Sequence, residues 1–121
     1  MAYCSKGIAL NNLERYEEAT KVCEEADPNN AEAYHNKGVA LNELGSYKEA
    51  MKACEEAIRL DPNNTTAYNN KGIALDSLGR YEEAIKVYEE AIRLDPNYAN
   101  AREGKDAVLK KLKKASRKWW W

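Results

Sequence analysis

Tyr34, Gly38, Gly45, Ala50, Ala57 and Pro62 return 34 positions later as Tyr68, Gly72, Gly79, Ala84, Ala91 and Pro96. A fixed period of roughly 20–50 residues leaves few folds open. Each unit is one supersecondary piece, too small to bury its own apolar face, so neighbouring units must stack and share a core. A shorter copy precedes the two, with Gly7 and Gly38 only 31 positions apart. Where the full copies read "EEAIRLDP", the first reads "EEADP", from Glu24 to Pro28. Three residues of helix amount to about 4.5 Å, and a buried Ile or Leu contributes about 1.5–3 kcal/mol. The deletion falls beside a loop, so the fold should tolerate it. The junction between the first two copies should nevertheless be weak, as a hinge, an altered superhelical step or a place where the first hairpin swaps between molecules.

Each unit divides into two helices. In the third copy Tyr68, Gly72, Leu75 and Leu78 share one helical stripe, Gly79-Arg80 breaks it, and Tyr81, Ala84, Ile85, Tyr88, Ala91 and Ile92 form a second. Asp95-Pro96-Asn97 stops that helix, because proline cannot continue it and Asp and Asn favour turns. The small residues Gly72, Ala84 and Ala91 on these stripes should let another helix come close.

Together these places make the pattern Tyr…Gly…Leu…Gly…Tyr…Ala…Ala…Pro. The second copy has Tyr34, Gly38, Leu41, Gly45, Tyr47, Ala50, Cys54, Ala57 and Pro62, and the third Tyr68, Gly72, Leu75, Gly79, Tyr81, Ala84, Tyr88, Ala91 and Pro96. The first has Tyr3, Gly7, Leu10, Tyr16, Ala19, Cys23, Ala26 and Pro28. The pattern resembles the tetratricopeptide repeat. Lys6, Lys37 and Lys71 stand where the family commonly has Leu, and their alkyl stems can still cover apolar surface. The resemblance implies an all-α fold, a right-handed α-solenoid of antiparallel helix hairpins with about seven helices. It implies one domain over residues 1–118, with repeats at about 1–30, 31–64 and 65–98 and a closing helix at about 98–115. Residues 116–121 are expected to form a disordered basic tail rich in Trp. The near-identity of the two full copies, and a start almost flush with the first helix, suggest an excised or engineered array; recent natural duplication is the alternative.

Charge and composition narrow the function. Residues 1–100 carry 11 Lys/Arg against 18 Asp/Glu, and residues 101–121 carry 8 against 2. An acidic body does not suit nucleic acid. No charged-then-apolar leader opens the chain and no apolar run is long enough for a bilayer, so the cytoplasm is the expected compartment. Three cysteines without C-x-x-C spacing argue against a disulfide framework or a zinc site. Cys23 and Cys54 share a place with Tyr88, which reads as a packing place. His35 is the single histidine. It has no nucleophile at a suggestive spacing, and Cys4, Cys23, His35 and Cys54 fit no zinc pattern. Glu24-Glu25, Glu55-Glu56 and Glu89-Glu90 recur with the period and read as a solvated face. No enzyme activity, metal or cofactor is expected. Trp119, Trp120 and Trp121 are the only tryptophans. A frayed end is the plain expectation for them. A self-association tag is one alternative, and a membrane-surface element is another, disfavoured because only the tail would carry it.

In the family the first helices line a concave groove. The resemblance therefore implies a non-catalytic scaffold that binds a peptide or protein segment. The alternative is a structural or designed repeat protein without a dedicated ligand, able to self-associate through its first hairpin or its Trp tail. Chaperone-binding members clamp two carboxylates with Lys and Asn at five places, occupied here by Cys4, Ile8, Asn36, Thr66 and Asn70. Only Asn36 matches, so chaperone tails are not expected to bind. Ser5, Asn36 and Asn70 precede the Lys-Gly of each copy and are expected to project into the groove, as in the asparagine row of sugar-transferring members. An Asn amide offers a donor and an acceptor to a peptide backbone. His35, Val39, Asn42, Glu43, Asn69, Ile73, Asp76 and Ser77 should shape any preference, with Glu43 and Asp76 favouring basic or neutral segments.

Overall fold

The computed structural model describes Lys21, which is helical, and residues 31–119, with side chains as far as Ala115. The described residues form five helices and no strand. These are α1 (Ala31–Glu43), α2 (Tyr47–Leu60), α3 (Thr65–Ser77), α4 (Tyr81–Leu94) and α5 (Ala99–Trp119). The other helices of the expected seven belong to the first copy. Apart from Lys21, that copy lies outside the described residues, Ser5 and the shortened junction included.

Glycine closes both hairpins. Gly45 (φ 80°) follows α1 and Gly79 (φ 78°) follows α3, both in the left-handed region where an L side chain is strained. The amide of Ser46 donates to the Leu41 carbonyl at 2.9 Å and that of Gly45 to Asn42 at 3.1 Å; Arg80 and Gly79 repeat this with Leu75 and Asp76 at 2.9 and 3.0 Å. Such a pair of bonds satisfies the last carbonyls of a helix and fixes the angle of the next. Between repeats the turn is built by aspartate. The Asp61 carboxylate accepts from the amide of Asn63 at 3.2 Å, and Asp95 from Asn97 at 3.1 Å. Asn64 then caps α3, its side-chain oxygen accepting from the Ala67 amide at 3.0 Å. In front of α5 the same place holds Tyr98.

Consecutive helices pack on one another throughout. In addition α1 touches α3 and α3 touches α5, whereas α2 and α4 do not meet. The first helices thus form a continuous inner layer and the second helices an outer one. The core between them is rich in alanine. Leu41, Ala50, Ala53 and Ala74 make one cluster, and Leu75, Ala84, Tyr88, Ala91, Ala101 and Val108 the other; Met51 packs against both.

Among the described residues Tyr88 is the largest fully buried side chain. Its ring lies between α3 and α5: a Cβ added to Gly72 or to Gly104 would come within 2.6 Å of it. One repeat earlier Cys54, wholly buried, plays the same part at shorter reach, its Sγ 2.7 Å from where a Cβ on Gly38 would be. The stripe glycines therefore admit a side chain from the paired helix rather than a helix backbone. Burial pushes the Cys54 thiol up to about 12, as befits an unreactive packing residue.

Helix α5 begins at Ala99 and runs to Trp119, past the limit of about 115 anticipated from its stripe, so residues 116–119 are helical. Beyond Gly104 the sequence holds neither glycine nor proline, and Lys, Leu, Ala and Arg are strong helix formers. No described helix is long and apolar enough to cross a membrane.

Candidate functional site

The open face of the inner layer carries the candidate residues, and the structure sorts them into three kinds. Glu43, Ile73 and Ser77 are exposed. Ile73, at 39%, is the large apolar side chain left in solvent among the described residues. Asn36, His35, Val39, Asn42 and Asp76 are half-buried. Asn69 and Asn70 are buried, at 6% and 8% exposure.

The burial of Asn70 departs from the expected rung projecting into a groove. Its helix is flanked by α1 on one side and α5 on the other, and this close approach covers the side chain. Asn42, from α1, donates through Nδ2 to the backbone carbonyl of Asn70 at 3.1 Å, stitching the two inner helices together. The Nδ2 of Asn70, the Oδ1 of Asn69, the Oδ1 of Asn42 and the Nε2 of His35 are buried without a hydrogen-bond partner. Buried polar atoms of this kind are costly unless water or a ligand satisfies them, and these leave donor and acceptor atoms on the face open to such a partner. Asn36 is tied to His35, with Nδ1 of the ring 3.3 Å from its Oδ1. Burial lowers the pKa of His35, opposed by that contact and by Glu32.

Asp76 does not stand free to favour a basic ligand. Lys111 of α5 reaches it, with Nζ donating to both carboxylate oxygens at 2.8 and 3.0 Å. The sequence reading missed Lys111. Aligning Asp95-Pro96-Asn97 with Asp61-Pro62-Asn63 puts α5 in the register of α3, and Lys111 then falls at the inner-face place of Ser77. That signal was available. Glu43, on the same face, takes part in no described ion pair. Lys105 of α5 similarly donates to Glu89 of α4 at 3.2 Å.

The described residues include no group of three or more His, Cys, Asp and Glu able to hold a metal ion. Ion pairs of Arg59 with Glu56, Arg80 with Glu83 and Arg93 with Glu90 lie on exposed surface within one turn of the same chain segment.

Stacked two-helix units with a first-helix inner layer define a helical-repeat scaffold. Profiles of the tetratricopeptide repeat match residues 31–64 and 65–98, and a second profile of that repeat matches residues 2–27. The chain belongs to the tetratricopeptide repeat family. No curated protein sequence matches it. Among solved structures it resembles the second such domain of human RPAP3 in complex with an HSP70 peptide, SGPTIEEVD, at 28% identity and TM-score 0.78, over 86% of this chain and 89% of that one. It also resembles the first such domain of Spaghetti (RPAP3), bound to the HSP90 peptide SRMEEVD, at 29% identity and TM-score 0.83, over 92% and 90%. The Sgt2 domain of Aspergillus fumigatus shares the fold at TM-score 0.87 and 23% identity, over 96% of this chain and 80% of that one.

Proposed function

We propose that this protein is a non-catalytic interaction scaffold of the cytoplasm whose inner face binds an extended peptide segment. The observation that carries the reading is the composition of that face: an exposed Ile73 beside buried asparagine amides that lack partners. An isoleucine held in solvent among polar neighbours is a ready contact for one apolar side chain. Asn69 and Asn70, after a side-chain turn toward the face, and Asn36 without one, can exchange hydrogen bonds with peptide amides. Each such bond contributes about 0.5–1.5 kcal/mol net, so the expected affinity is weak and selects an apolar residue within an extended backbone.

The solved RPAP3 domains support a peptide as the kind of ligand, since they were captured with HSP70 and HSP90 peptides whose sequences end in EEVD. The tail itself does not transfer. At the family's carboxylate-clamping places this chain offers Cys4, Ile8, Asn36, Thr66 and Asn70, and none of these is a cation. A displayed library of random peptides, panned on the wild type, on Ile73→Asp and on Asn36→Ala/Asn70→Ala, tests the proposal. Ligands selected on the wild type should be lost on Ile73→Asp and weakened on the asparagine variant. Equal retention on all three would remove the inner face as the site.

A further inference from the structure

Helix α5 is longer than the layers it closes. Asp76, one residue before the end of α3, meets Lys111, and the ring of Tyr81, the first residue of α4, lies 5.9 Å from the same ammonium. Leu112 still lines a surface depression with Gly79, Arg80 and Tyr81. The packed α3–α4 hairpin therefore ends level with Leu112. From Lys113 the helix continues to Trp119, about 10 Å of further length at about 1.5 Å per residue. Lys113, Lys114 and Ala115 are exposed.

The chemistry of this projection is one-sided. After Asp106 the sequence contains no acid. Lys105 and Lys111 are paired to Glu89 and Asp76. Lys110, Lys113 and Lys114 take part in no described ion pair, and with Arg117 and Lys118 they fall at i, i+3, i+4, i+7 and i+8, a single helical stripe. Trp119 ends the helix, and Trp120 and Trp121 follow it in the sequence.

We propose that the projecting end of α5 docks on an anionic bilayer surface, with the basic stripe on lipid headgroups and the tryptophans at the interface. Indole prefers the headgroup region, where its ring is half solvated. Juxtaposed Lys and Arg add attraction to acidic lipid, which is concentrated on the cytoplasmic leaflet. The acidic body does not oppose this contact. It stands back by about one Debye length, roughly 8–10 Å at physiological salt. A nucleic acid is less well served, because a long polyanion laid along the stripe toward the body would next meet Asp106 and Glu103 on the same side of the helix. With no described helix able to span the bilayer, the attachment is peripheral and reversible.

The tryptophans make the test direct, since all indole emission comes from this end. The full chain is mixed with vesicles of phosphatidylcholine alone, with vesicles containing about 30% phosphatidylserine, and with a single-stranded oligonucleotide without lipid. Phosphatidylserine vesicles should shift the emission to shorter wavelength and sediment the protein, and about 0.5 M salt should reverse both. Lys110→Gln/Lys113→Gln/Lys114→Gln/Arg117→Gln/Lys118→Gln should lower the partition coefficient at least about tenfold while leaving helical content unchanged, because Lys110, Lys113 and Lys114 are exposed and glutamine favours a helix about as well as lysine or arginine. Trp119→Ala/Trp120→Ala/Trp121→Ala, followed by sedimentation alone, should weaken binding as well. No shift on phosphatidylserine, an equal shift on neutral vesicles, or oligonucleotide binding as tight as vesicle binding would each overturn the proposal.

Discussion

Gly104→Ala is expected to destabilise this protein, although glycine-to-alanine inside a helix ordinarily helps. Gly104 lies in α5. Helix propensity alone favours alanine there by about 0.8–1.0 kcal/mol. Against this, the new Cβ would stand 2.6 Å from the Tyr88 Cζ, 2.7 Å from its Cε1 and 2.9 Å from its hydroxyl oxygen. The ring cannot retreat, because it is 2% exposed and a Cβ on Gly72, on its other side, would stand equally close. Overpacking of a tight core costs about 1–3 kcal/mol, so the net effect is a loss of up to about 2 kcal/mol. The reasoning is sharpened by replacing Tyr88 with the residue that the other copies carry at this place. Tyr88→Cys should itself cost about 2–4 kcal/mol for the vacated space. In that background the clash disappears and Gly104→Ala should turn stabilising. Urea unfolding of the four proteins, followed by circular dichroism, gives the cycle. The same sign of effect in both backgrounds would refute the account of Gly104 as room for a ring.

Asn64→Ala should cost about 0.5–2 kcal/mol through loss of the cap on α3; no change in urea unfolding would argue that this turn is held by Asp61 alone. Stability should fall as pH drops through about 6.5, since half-buried His35 resists protonation in the folded state and the unfolded chain does not. The fall should level off below the lowered folded-state value, and His35→Gln should flatten that part of the profile while leaving the separate acid limb below 4.5, where Glu56, Glu83 and Glu90 lose their arginine partners. A peptide ending in the acidic tail of a heat-shock chaperone should show no binding at micromolar concentration by calorimetry; a clear isotherm would mean that cations outside the family's clamping places can hold it.

Much of the architecture was legible because it rests on local rules. The period gave the two-helix unit, and Gly45 and Gly79 marked the hairpins because only glycine takes their backbone angles without strain. Asp61-Pro62-Asn63 and Asp95-Pro96-Asn97 marked the repeat boundaries through a missing amide and two turn-forming side chains. Cys54 and Tyr88, alternatives at one place on an apolar stripe, were readable as packing residues. The candidate face was less legible. Asn36 and Asn70 hold equivalent places, yet one is half-buried and the other covered, because covering depends on the helices on either side. Lys111 neutralises Asp76 across 35 residues of sequence, a pairing that local periodicity does not contain.

The sequence by itself determined the class of fold, the positions of the turns and the acidic and basic halves, since hydrogen bonding within a turn and side-chain spacing along a helix are properties of neighbouring residues. The tertiary structure alone decided which polar groups face solvent, which acid is already paired, and how far α5 outruns the layers beneath it. Those outcomes depend on how closely separate helices approach, and that distance is set by the summed packing of side chains such as Tyr88 between Gly72 and Gly104.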